Sequence, residues 1–127
     1  MRFMMILVLV ALVGCAGDAN STLNYDDIPR TGDVTNGERL YVESIENAPL
    51  CTACHNPEAV AAPTLIDYGA IAGERVEGQD AHEYTFYAIA EPAQHIVEGY
   101  GNAMYAGYDE RMTPQQMADL IAYLLSL

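Results

Sequence analysis

The chain has 127 residues, enough for one domain with appendages. Its 18 acidic side chains face five arginines and no lysine, a net charge of −13 that excludes nucleic acid and anionic lipid headgroups as electrostatic partners. Such a surface favours a basic protein partner or a fixed place within a complex.

The first elements are not part of a fold. Arg2 supplies a short positive region, and Phe3 to Val13 is an unbroken apolar run of eleven. That is too short to cross a bilayer as a helix, which takes about 20 residues, but it suits the hydrophobic region of a signal peptide. Leu12-Val13-Gly14-Cys15 resembles the lipobox of bacterial lipoproteins, in which cleavage precedes the cysteine and the new terminus is acylated. Residues 1–14 are therefore expected to be a lipoprotein signal peptide, with Cys15 as the lipidation site. Ala16 to about Asp33 is polar and acidic without a sustained apolar period, so residues 15–33 read as a lipidated tether. Its eighteen residues after Cys15 would reach about 60 Å if stretched. As a flexible coil they would typically span about 25 Å.

The expected domain occupies residues 34–127. Asp33 or Thr35 can cap a helix running to about Ser44, with Leu40 and Tyr41 turned inward. A loop through Asn47-Ala48-Pro49 delivers Cys51-Thr52-Ala53-Cys54-His55. Two thiols three positions apart, followed at once by an imidazole, is the spacing that attaches a c-type haem. A zinc site of this kind needs a second ligand pair, and His82 and His95 stand far off and thirteen residues apart. A thioredoxin-like pair would follow a strand, and Ile45 to Leu50 is not a strand-like run.

After His55, Ala61 to Leu65 is an apolar turn containing Pro63, and Gly69, Gly73 and Gly78 mark a loop-rich stretch. Asp80 with Glu83 three residues on has capping-box spacing. The helix it opens carries Tyr84, Tyr87, Ala88 and Ile89 and stops before Pro92. A short turn holds His95, Ile96 and Val97, and Tyr100 to Arg111 is an irregular loop rich in Gly and Tyr. Thr113-Pro114 starts the last helix, whose apolar stripe is Met117, Leu120, Ile121 and Leu124. No strand is expected, so the fold class is all-α. A loop-rich domain of this size would bury a thin core alone, and a porphyrin would supply its apolar centre. The cysteine count closes on the same reading: Cys51 and Cys54 go to haem, Cys15 goes to lipid, and none is left over.

From about Gly32 to its end the chain resembles a class I cytochrome c of the small bacterial kind. The order is shared: first helix, C-x-x-C-H, Pro-containing loop, middle helix, Met loop, last helix. The resemblance implies helices and long loops wrapped around one covalent haem c. It also implies a Gly and aromatic pairing where first and last helices cross, matched by Gly37 with Tyr41 and by Leu120 with Tyr123.

The same likeness implies a Met thioether opposite His55 as the second axial ligand, a soft ligand that raises the potential. Met104 stands nine residues before Thr113, where the family ligand is expected, and Met112 is the other candidate. His82 and His95 are further alternatives. Tyr105 occupies the place where proline is common, which removes one rigid element from that loop. Pro63 resembles the proline whose carbonyl holds the proximal histidine. Leu65, Tyr68, Ile96 and Tyr100 are expected to line the haem, and Arg75 to pair with a propionate. Nine tyrosines read as pocket packing rather than as an electron relay.

The implied function is one-electron transfer in a respiratory or photosynthetic chain, without enzymatic turnover, on the outer face of the bacterial cytoplasmic membrane. Redox partner proteins with a basic docking surface are expected. One variant is a monohaem subunit of a larger quinol-oxidising complex, and the chain resembles the small cytochrome subunit of alternative complex III. The rival class is a haem enzyme or gas sensor with an open iron position.

Overall fold

The computed structural model describes residues 23–127, so the signal peptide, Cys15 and the first part of the tether lie outside the described residues. Five helices occur, α1 (Val34–Val42), α2 (Cys51–Cys54), α3 (Tyr68–Ile71), α4 (Ala81–Ala90) and α5 (Pro114–Leu125), with 3₁₀ turns between them and no strand among the described residues.

Local chemistry sets the boundaries. The Asp33 carboxylate accepts the N–H groups of Thr35 and Asn36 at 2.9 and 3.1 Å and caps α1. That helix ends two residues earlier than the sequence pattern suggests, because Glu43 is already extended. Asp80 accepts from Glu83 N–H at 2.8 Å and opens α4. Thr113 and Gln116 form a full capping box, and Pro114 fills the first turn of α5, where its missing N–H costs nothing.

Helices α1 and α5 cross at contact distance. A Cβ on Gly37 would stand 2.7 Å from Tyr123 Cβ and collide with the Asp119 carbonyl, so only glycine permits the approach. The rings of Tyr41 and Tyr123 then meet at 5.4 Å. The expected stripe of Met117, Leu120, Ile121 and Leu124 is buried throughout.

The greatest departure from expectation lies before α1. Residues 23–33, read as tether, dock against α4. Tyr25 sets its ring 5.7, 5.3 and 5.9 Å from those of His82, Phe86 and Tyr87. Ile28 joins the core. Arg30 lies over the Tyr25 ring at 5.2 Å and pairs with Asp80 at 3.0 Å. The sequence carries the reason in retrospect: α4 is apolar on two faces, and a helix of that kind needs two partners.

Candidate functional site

Helix α2 is one turn long and places Cys51 and Cys54 on one side, as i, i+3 spacing requires. Both thiols are free. Burial pushes the Cys51 thiol up to about 11, so it stays protonated at neutral pH. His55 ends the turn, its N–H on the Cys51 carbonyl at 2.9 Å.

Its ring is held from the side. His55 Nδ1 lies 3.0 Å from the Pro63 carbonyl. A carbonyl only accepts, so Nδ1 carries the proton and Nε2 keeps its lone pair for a metal. The Tyr41 hydroxyl donates to the His55 carbonyl at 2.8 Å, tying α1 to the same residue. Burial drives the Tyr41 hydroxyl up to about 12, so it remains a donor.

These groups face a cavity of about 430 Å³, within the range of roughly 300–1,000 Å³ for cofactor pockets. All the residues expected around it line it: Cys51, Cys54, His55, Pro63, Leu65, Tyr68, Arg75, Ile96, Tyr100 and Met104. Met112 does not; it is buried in the core with Met117. His82 lies off the cavity, with its ring nitrogens 3.3 Å from the Tyr25 hydroxyl and 3.2 Å from the Pro29 carbonyl. His95 lies on the cavity wall, its ring edge-on to Tyr84 at 5.8 Å.

Other wall residues carried no individual signal. Tyr84, Thr85, Ala88 and Ile89 form the cavity face of α4. Their positions along the helix are complementary to those of His82, Phe86 and Tyr87, which meet the N-terminal segment. Tyr68 and Thr85, both on the wall, join hydroxyls at 3.0 Å, and burial pushes Tyr68 up to about 12. Tyr105 and Tyr108 close another side.

Electrostatically the cavity has one cation of note. Arg30 pairs with Asp80, Arg39 with Glu43, and Arg111 with neutral acceptors, while Arg75 lines the cavity with no ion pair among the described residues. No cluster of three or more His, Cys, Asp or Glu side chains among the described residues is arranged for a bare ion.

Two free thiols on one helical turn, an imidazole with its Nδ1 proton fixed and its Nε2 lone pair free, and an apolar cavity beside them fit a porphyrin held by thioether bonds and by iron. That combination defines a protein that carries haem covalently. The family described as cytochrome c matches residues 34–127, and the chain belongs to that family. Comparison with curated proteins and with solved structures returned no match. The family binds covalent haem c, typically one group in small proteins, and acts in electron transfer with redox partners. The all-α architecture, with five helices joined by long loops, is the class I cytochrome c fold.

Proposed function

We propose that the chain is a one-electron carrier with His55 and Met104 as axial ligands, tethered through Cys15 to the outer face of the bacterial cytoplasmic membrane. The observation that carries the ligand assignment is that Met104 lines the cavity with His55, whereas Met112 and Met117 are enclosed in the core. Haem, when bound, supplies a reversible ferrous–ferric couple.

The chain's own residues do the rest. Cys51 and Cys54 would hold the group through thioether bonds, and the Pro63 carbonyl keeps the His55 Nε2 lone pair free. A neutral thioether favours the ferrous state and raises the potential. Leu65, Tyr68, Ile96 and Tyr100 would pack against the ring, and Arg75 is the cation on the cavity wall available to a propionate. With His55 and Met104 both held by the iron, no site would be left there for a substrate, which would separate a carrier from a peroxidase or gas sensor.

The docked N-terminal segment bears on how the carrier works. With residues 23–33 held on α4, seven residues separate Cys15 from the domain. They would reach about 25 Å when stretched. A leash of that length favours a membrane-proximal partner, such as the neighbouring subunits of a quinol-oxidising complex, over a long-range shuttle. The acidic surface favours a partner whose docking face is basic.

The visible spectrum of the purified protein, with and without CO, tests the assignment. A low-spin spectrum with the weak far-red sulfur-to-iron band, unaltered by CO, is expected. A high-spin spectrum with rapid CO binding would overturn it. Co-purification with integral and multihaem subunits after mild detergent extraction tests the place in a complex.

A further inference from the structure

The loop that carries Met104 has little to hold it. Residues 93–113 contain no proline. Between Gly101 and Tyr108 the backbone forms no regular element, and its internal bonds reduce to Ala103 N–H on the Gly101 carbonyl at 3.0 Å. A thioether on such a loop would leave the iron easily, because loop opening costs few contacts.

Side chains do what the backbone does not. Arg111 Nε donates to the Tyr105 hydroxyl at 2.8 Å, with the guanidinium carbon 5.8 Å from the ring centre. The same guanidinium sends Nη1 to the Glu46 carbonyl at 2.7 Å. Glu46 and Asn47 both have positive φ, 48° and 64°, in a tight turn closed by Ala48 N–H on the Ile45 carbonyl at 2.8 Å. Two consecutive non-glycine residues in that region are strained and persist only where surroundings hold them.

A second tie runs parallel. The rings of Tyr105 and Tyr108 meet edge to face at 5.1 Å, and the Tyr108 hydroxyl donates to the Pro49 carbonyl at 2.7 Å, two residues before Cys51. Gly107 lets this happen: a Cβ there would come within 2.6 Å of the Tyr105 hydroxyl.

We infer that Tyr105 and Arg111 form a clamp that positions Met104, by bolting its loop to the strained turn that leads into the haem-attachment helix. The clamp ties the Met104 loop to the segment that leads into Cys51 and His55, so it sets how readily Met104 gives way to another ligand. Tyr105 and Arg111 are positioning residues; the proposal assigns neither of them to the iron. It rests on Met104 as the sixth ligand.

The test is imidazole titration of the oxidised full-length holoprotein, followed by absorbance, for the wild type, Tyr105→Phe, Arg111→Gln and the double variant. Imidazole reports loop opening because it binds only where the methionine has left. Tyr105→Phe keeps the ring and removes the acceptor. Losing one charge-assisted hydrogen bond should raise the apparent imidazole affinity about tenfold. The double variant should show no more than the larger single effect, since both changes cut one bridge. Arg111→Lys, which keeps charge but cannot fork to both acceptors, should fall between the wild type and Arg111→Gln.

Unchanged imidazole affinity in Tyr105→Phe and Arg111→Gln, with the far-red band present and the melting temperature lowered, would overturn the clamp while leaving Met104 as ligand. A far-red band that survives Met104→Ala would overturn the ligand assignment and the clamp together.

Discussion

Asp119 in α5 accepts the backbone N–H of Asp33 at 2.8 Å, so a residue inside the last helix completes the start of the first. The same carboxylate takes Asn36 Nδ2 at 2.6 Å and Gln115 Nε2 at 2.8 Å. It is 4% exposed. Burial alone would raise its pKa, but these three donors outweigh it and hold the carboxyl below its ordinary value. One acid therefore ties together the two helices that bring Tyr41, Leu120 and Leu124 to the cavity wall.

Asp119→Ala leaves three donors without their acceptor and should cost about 2–3 kcal/mol in thermal or denaturant unfolding of the holoprotein. The pH dependence has a definite sign. Because the folded carboxyl titrates below the unfolded value of 3.8, its contribution is complete above that pH and is lost as pH falls through the folded value. The stability gap between wild type and Asp119→Ala should be constant near neutrality and shrink below about pH 4.

Gly37→Ala tests the closeness of the same crossing. Alanine should gain about 1 kcal/mol in helix propensity. Its Cβ would instead press on the Asp119 carbonyl and on Tyr123 Cβ at 2.7 Å, both anchored in α5. The net result should be a loss of about 2 kcal/mol, visible as a lower melting temperature.

Docking of the N-terminal segment should weaken in acid. Burial, aided by the nearby Arg30 charge, lowers His82 below its ordinary 6.5, against the opposing pull of the Pro29 carbonyl and Asp80. A histidine held neutral stabilises the docked state above the free value, and that stability falls as pH drops from 6.5 toward the docked value. Hydrogen exchange over residues 23–33 should quicken between pH 7 and pH 5, and His82→Gln should flatten that change.

Met104→Ala and Met112→Ala should separate ligand from core. Met104→Ala should abolish the far-red band, open the iron to CO and lower the potential. Met112→Ala should keep the band and cost about 2–4 kcal/mol, because Met112 is buried among core residues.

How much of this was legible depends on the range of the interaction involved. The haem-attachment signal is local: one helical turn sets Cys51 against Cys54, and His55 follows by chain connection alone. The caps at Asp33, Asp80 and Thr113 are local as well, since each bonds within three residues. The apolar stripe of α5 follows from helical period. For these features the chain's own order carries the information.

The rest needed contacts between distant residues. Met104 and Met112 are chemically identical, and only packing puts one on the cavity and the other in the core. Residues 23–33 are polar enough to read as tether, yet a few apolar side chains, Tyr25 and Ile28, suffice once α4 offers a matching face. Asp119 looks like an exposed helix residue until the start of α1 brings two donors, Asp33 N–H and Asn36 Nδ2, to join Gln115 of its own helix. Tyr105 looks like the loss of a stiffening proline until Arg111 meets its hydroxyl and reaches on to the Glu46 carbonyl. The sequence by itself determined the family, the Cys51-Cys54-His55 motif and the helical frame, because these are written in short spacings. Tertiary structure alone decided which methionine lines the cavity, that residues 23–33 pack on α4 and that Tyr105 meets Arg111, because each depends on side chains brought together by the fold.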